Sequence, residues 1–163
     1  MGHCRKLFTL PLAFLACLVL QSCLENKSLE EMNDLLLKLI SPSVPLDEYV
    51  SNVSLDYLDN DGSRTHFEKQ SLIDVFTELR PAISNGEKQQ FPNRGIGSPR
   101  GKFTLHKGTK TASYPFYVID ANKRFFAITI PDSIGGSSSL LMLRPANDEL
   151  QRLLFANGEQ KAP

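Results

Sequence analysis

Apolar and polar positions change their rhythm several times along this chain, and each rhythm predicts an element. Leu7 to Leu20 is an uncharged apolar run broken only by Thr9 and Pro11, preceded by Arg5 and Lys6. A helix that crosses a bilayer needs about 20 apolar residues, so this run is short for a permanent span and suits the middle of a secretory signal. From Ser28 the period becomes helical: Leu29, Met32, Leu36, Leu39 and Ile40 share one face, with Leu35 at its margin. Ser28-Leu29-Glu30-Glu31 has the spacing of a capping box, and Pro42 marks the end. Pro45 permits a short helical turn. Val53, Leu55 and Tyr57 then alternate with Ser54, Asp56 and Leu58 as a strand, Asn60-Asp61-Gly62 turns the chain, and Ser63 to Phe67 returns. A second helix runs from Glu68 to Leu79 on the stripe Leu72, Val75, Phe76 and Leu79, with Thr65 as its cap and Pro81 as its stop.

Ser84 to Lys102 holds six glycines and prolines and reads as a long irregular loop. Beyond it the pattern is mainly β. Phe103 to His106 is a short strand before a Lys107-Gly108 turn, and Tyr114 to Ile119 with Arg124 to Ile130 form a hairpin. Pro115 is expected on an edge or at a strand start. Leu140 to Leu143 is a further strand, and Asn147 caps a last helix from Asp148 to Ala156. Helices, then an antiparallel sheet, then a closing helix predict an α+β fold with the helices on one face. A loose resemblance to the cone-shaped nuclear-transport-factor-2-like fold, carried by no motif, is the alternative.

Leu20-Gln21-Ser22-Cys23 ends the first apolar run and resembles the lipobox of bacterial lipoprotein signal peptides: an aliphatic residue, a variable one, a small one and a cysteine. The resemblance covers residues 1–23 alone, and the mature domain matches no recognised family. It implies cleavage between Ser22 and Cys23, diacylglyceryl transfer to the Cys23 thiol and acylation of its new amino group. Two or more chains hold a protein stably on a membrane, where one holds it marginally. The organisation that follows is a signal at 1–22, a lipidated cysteine and four-residue tether at 23–27, one domain at 28–158 and a loose tail at 159–163. Cysteine usage agrees, because Cys4 and Cys17 leave with the signal and only Cys23 stays, too few for a disulfide framework. By the family's sorting habit, Leu24 in place of aspartate implies the outer membrane, on its periplasmic face, with a lipid anchor in another bacterial membrane as the alternative.

Charge is balanced overall, with 18 basic and 18 acidic residues, but unevenly spread. Residues 24–80 carry twelve acids against five bases, and residues 81–118 one acid against six bases. Lys88, Arg94, Arg100 and Lys102 in the long loop form the candidate partner contact. Their charge suits a lipid phosphate, peptidoglycan carboxylates or an acidic protein surface.

Candidate chemistry is sparse. Asp59, Asp61 and Glu68 can be laid on positions three, five and twelve of an EF-hand loop, but Tyr57 would then stand at the first ligand position. A hairpin turn explains the same residues more simply, so a metal there is only a weak alternative. Gly95 to Lys102 lacks the glycine and the Ser/Thr spacing of a phosphate loop. His66 and His106 have no second ligand at metal spacing and are expected to be structural, as Tyr114, Phe116, Tyr117, Phe125 and Phe126 are expected to serve the core and sheet. No catalytic residue, cofactor or nucleic-acid partner is expected. The sequence favours a non-enzymatic binding or accessory protein of the envelope, such as a machine accessory, a toxin-immunity protein or an exclusion protein. A hydrolase of cell-wall or lipid substrates is the alternative.

Overall fold

The computed structural model of the chain describes residues 9–84, 97–120, 122, 125–131 and 138–155. Its elements are α1 (Thr9–Ile40), α2 (Leu46–Tyr49), β1 (Val53–Asp59), β2 (Arg64–Glu68), α3 (Lys69–Ser84), β3 (Gly101–Lys107), β4 (Lys110–Asp120), β5 (Phe125–Pro131), β6 (Ser138–Leu143) and α4 (Glu149–Phe155). The six strands form one open antiparallel sheet in the order β2-β1-β3-β4-β5-β6, with helices packed on it. This is the α+β architecture that the alternation of periods predicts.

Alternation along each strand decides what lies between sheet and helices. Val53, Leu55 and Tyr57 of β1 face inward, with Phe103 and Leu105 of β3, Tyr114 and Phe116 of β4, and Phe126 and Ile128 of β5. Met32, Leu35, Leu36, Leu39 and Ile40 of α1 and Leu72, Val75, Phe76 and Leu79 of α3 meet them, and Leu150 and Leu154 of α4 close the core. Leu35 is fully part of this core rather than its margin. The centre is aromatic: Tyr57 packs on Phe103 at 5.0 Å between centroids and edge-on to Phe116 at 5.9 Å, and Phe116 stacks on Phe126 at 5.6 Å. Gly101 is required where β3 passes β1, because a Cβ there would sit 2.5 Å from the Leu58 carbonyl oxygen and 2.7 Å from the Tyr57 hydroxyl.

Several boundaries move once tertiary contacts act. α1 is continuous through Cys23 and Ser28, so the four residues 24–27 are helical and Ser28 does not start a helix. Helical rise gives Leu24 to Lys27 a length of about 6 Å, where an extended tether would reach about 14 Å. Pro81 does not stop α3, which continues to Ser84. Burial holds that turn: Ala82 is fully buried, Ile83 packs on the core, and the Arg144 amide donates to the Ala82 carbonyl. Thr65 does not cap α3, since it pairs with Tyr57 inside β2. Ser71 instead folds back, its hydroxyl accepting from the Glu68 amide at 3.1 Å and donating to the Glu68 carbonyl at 2.9 Å.

β4 is eleven residues long, nearly twice the predicted strand, because β3 templates its first half. Pro115 lies inside it, opposite Lys102, but pairing with β5 begins only at Phe116, so that residue is locally on an edge. Asn147 caps α4 as expected, its side-chain oxygen accepting from the Glu149 amide at 2.9 Å. The predicted tail at 159–163 and most of the basic loop fall outside the described residues.

Candidate functional site

The face of the sheet turned away from the helices carries polar side chains where β2, β1 and β3 run side by side. The Asn60-Asp61-Gly62 turn sets the β1–β2 register, with Gly62 supplying φ +89°. The Asp59 amide donates to the Ser63 carbonyl, and the Ser63 amide donates to the Asp61 side chain at 2.8 Å. That register puts Asp56 opposite His66 and Ser54 opposite Glu68. On the other side, β3 places Thr104 opposite Asp56 and His106 opposite Ser54. Two short rows result: Glu68–Ser54–His106 and His66–Asp56–Thr104.

Asp56 is the centre of this grid. Although it stands on the outward face, it is only 5% exposed, because three basic side chains converge on it. Its Oδ1 accepts from His66 Nδ1 at 2.6 Å, and its Oδ2 accepts from His106 Nε2 at 2.8 Å and from the Arg64 guanidinium at 2.5 Å. Burial would raise the Asp56 carboxyl, but the hydrogen bonds from Arg64, His66 and His106 outweigh it and hold the carboxyl at about 2. His66 also places Nε2 3.0 Å from a Glu68 carboxylate oxygen. Both of its ring nitrogens thus face carboxylates, an arrangement that favours the doubly protonated ring. The Asp56 hydrogen bond first, and the Glu68 one second, raise its pKa accordingly.

A cleft of about 740 Å³ opens beside the first row. Glu68, Ser54 and His106 form one wall, Ser51 and Asn52 the approach to β1, and Lys69, Gln70 and Ile73 the first turns of α3. Asn52 and Lys69 both line it and both have positive φ, +61° and +47°. Left-handed backbone is unusual for lysine and clusters at functional places. The volume is that of a small-molecule site.

The residues singled out from sequence scatter around this centre. Asp59 and Asp61 are turn residues, and Glu68 lies five strand positions from Asp59, about 17 Å at ordinary strand rise. The EF-hand alignment is therefore not assembled, and no group of three His, Cys, Asp or Glu side chains is arranged to hold a metal ion among the described residues. Arg100 is half exposed and also has a place in the fold: its Nε lies 3.3 Å from the buried Asp59 carboxylate and its guanidinium lies over the Phe155 ring at 5.8 Å. Lys102 is exposed on the outward face, while Lys88 and Arg94 lie outside the described residues. Tyr114, Phe116 and Phe126 are buried, with Tyr117 and Phe125 packed on a smaller cluster of Ala127, Leu140 and Met142. Sequence reasoning passed over Asp56 and Ser54. The hairpin register was a usable signal for the Asp56–His66 pair, whereas nothing local joins either residue to His106.

Cys23 is exposed and unpaired on α1, with Leu20 and Leu24 also exposed, at 63% and 68%. Among the described residues no helix is long and apolar enough to cross a membrane.

No known protein family and no curated protein matches the chain. One solved structure is similar in outline, described as "Crystal Structure of Putative Lipoprotein from Clostridium perfringens". It is 17% identical over 72% of this chain and 91% of its own, with a TM-score of 0.42. A likeness that loose carries neither family nor function to this chain.

Proposed function

We propose that this is a lipid-anchored envelope protein whose domain binds a partner or ligand close to the membrane surface. The observation that carries the reading is the position of Leu20-Gln21-Ser22-Cys23 relative to the core. Residues 20–25 are all exposed, and from residue 20 onward the first α1 side chain packed on the core is Leu29. A cut before Cys23 therefore removes no described core residue and leaves α1 intact from Cys23 onward. With that segment helical, the lipidated cysteine lies about 9 Å from Leu29, and the domain rides close to the headgroups. Leu24 directs it to the periplasmic face of the outer membrane, and Lys102, with Lys88 and Arg94, remains the basic contact for an acidic partner. Arg100 stays in that set, its half-exposed guanidinium also pairing with Asp59.

Globomycin treatment should make the precursor accumulate, and the wild-type N-terminal peptide should carry the mass of added acyl chains. A Cys23→Ser chain that matures and stays with the membrane as the wild type does refutes the anchor. Leu24→Asp should shift the protein to the inner membrane; unchanged fractionation refutes the sorting assignment alone.

A second reading, hydrolysis of an envelope substrate, is favoured by one feature. The cleft is walled by His106, and a buried, ionised carboxylate fixes that imidazole from behind.

A further inference from the structure

We propose that Ser54, His106 and Asp56 form a nucleophile–base–orienter set that hydrolyses short-chain carboxylic esters in the cleft beside α3. The inference rests on the hydrolase reading and names its residues. Asp56 is ionised and can only accept, so the His106 Nε2 that meets its Oδ2 at 2.8 Å must carry a proton. In the neutral ring this leaves Nδ1 bare, as a base requires. Ser54 is the residue directly across from His106 on β1, and such cross-strand partners hold their Cβ atoms about 5 Å apart. Ser54 Oγ makes no hydrogen bond to another described residue, His106 included, so the mechanism requires the Oγ–Nδ1 bond to close when substrate binds, as catalytic hydrogen bonds that are long in an unliganded site do. Both side chains open into the cleft.

The rest of the cleft suits an ester of a short acid with a polar alcohol. Val50 and Ile73 give an apolar wall for the acyl group, and Asn52 and Gln70 offer amides to the alcohol side. The N-terminal turn of the 16-residue helix α3 brings the positive end of its dipole to the same space, where negative charge develops on a carbonyl under attack. Asp56 is a positioning residue, and Arg64 and His66 keep it ionised and aligned.

The chemistry needs only water. Ser54 Oγ bonds to the carbonyl carbon while its proton passes to His106 Nδ1. The carbon–oxygen bond to the alcohol breaks, and the departing oxygen takes that proton. Water then attacks the acyl-Ser54 ester, giving its proton to His106, and Ser54 Oγ regains a proton as the carboxylic acid leaves. The sum is ester plus water giving acid plus alcohol.

The test uses the full-length chain in nonionic detergent, with 4-nitrophenyl butyrate as substrate and a fluorophosphonate as covalent label. The wild type is expected to turn over the ester and to carry the label on the peptide containing Ser54. Ser54→Ala should lose the label and lower kcat/KM by about 10³-fold or more, with an unchanged urea midpoint, and His106→Gln should lose turnover as well. If Ser54→Ala hydrolyses as fast as the wild type while His106→Gln does not, Ser54 is overturned and the hydrolase reading stands. If the wild type is no faster than a buffer blank and takes no label, both fall.

Discussion

Replacing Asp56 by asparagine removes the single charge on which Arg64, His66 and His106 converge, while leaving the size of the side chain almost unchanged. In the folded protein that carboxyl sits at about 2, against 3.8 for an ordinary aspartate. Each unit of difference corresponds to about 1.4 kcal/mol, so the cluster contributes on the order of 2 kcal/mol to stability. The folded value lies below the unfolded one. The contribution is therefore complete above about pH 4 and disappears as the pH falls towards 2. His66 has the opposite sign: its pKa is raised, so its contribution is full below its ordinary 6.5 and is lost as the pH rises through the folded value. The His66 side chain is 52% exposed, and solvent screening keeps that second effect small. The assay is urea unfolding of wild type and Asp56→Asn, followed by circular dichroism at pH 5.5, 3 and 2. With m of about 2 kcal/mol/M, the variant's midpoint should fall by about 1 M at pH 5.5, and the two curves should converge at pH 2. A gap that is the same at pH 5.5 and at pH 2 would show that the Asp56 charge contributes nothing, and the description of the cluster as an ion-paired centre would fail.

Arg100→Ser should lower stability by about 1–3 kcal/mol, because it strips the buried Asp59 carboxylate of its cation; an unchanged melting temperature together with lost partner pull-down would show that Arg100 serves binding and not the fold. Arg80→Met removes hydrogen bonds to the Leu39 carbonyl at the end of α1 and to the Val44 carbonyl beyond it and should cost about 1–3 kcal/mol, read as a drop in urea midpoint. Tyr57→Phe should be neutral or slightly stabilising, since the buried hydroxyl has no hydrogen-bond partner among the described residues; a loss beyond about 1 kcal/mol would reveal one. Gly101→Ala should destabilise by about 2 kcal/mol or more, with Tyr57→Phe failing to rescue it, because the Leu58 carbonyl still meets the new Cβ.

Much of the fold was legible because its causes are local. The stripes on α1 and α3, the alternation in β1 and β5, the Asn60–Gly62 turn and the Asn147 cap each depend on residues a few positions apart. They appear in the structure near where the pattern puts them. The proposed lipobox rests likewise on four contiguous residues, Leu20 to Cys23. What the pattern misplaced has distant causes. Pro81 stays helical because Ala82 and Ile83 are buried by other elements, and β4 begins early because β3 lies beside it. Asp56 looked like any outward residue of an alternating strand. His106 reaches it across 50 residues of chain, and only the β1–β3 register brings Ser54, His106 and Asp56 onto one patch of sheet. Helix stripes and turns follow from the chain's own covalent geometry and were fixed before folding. The cluster and its cleft follow from strand pairing between segments far apart in sequence, which depends on how the whole core packs.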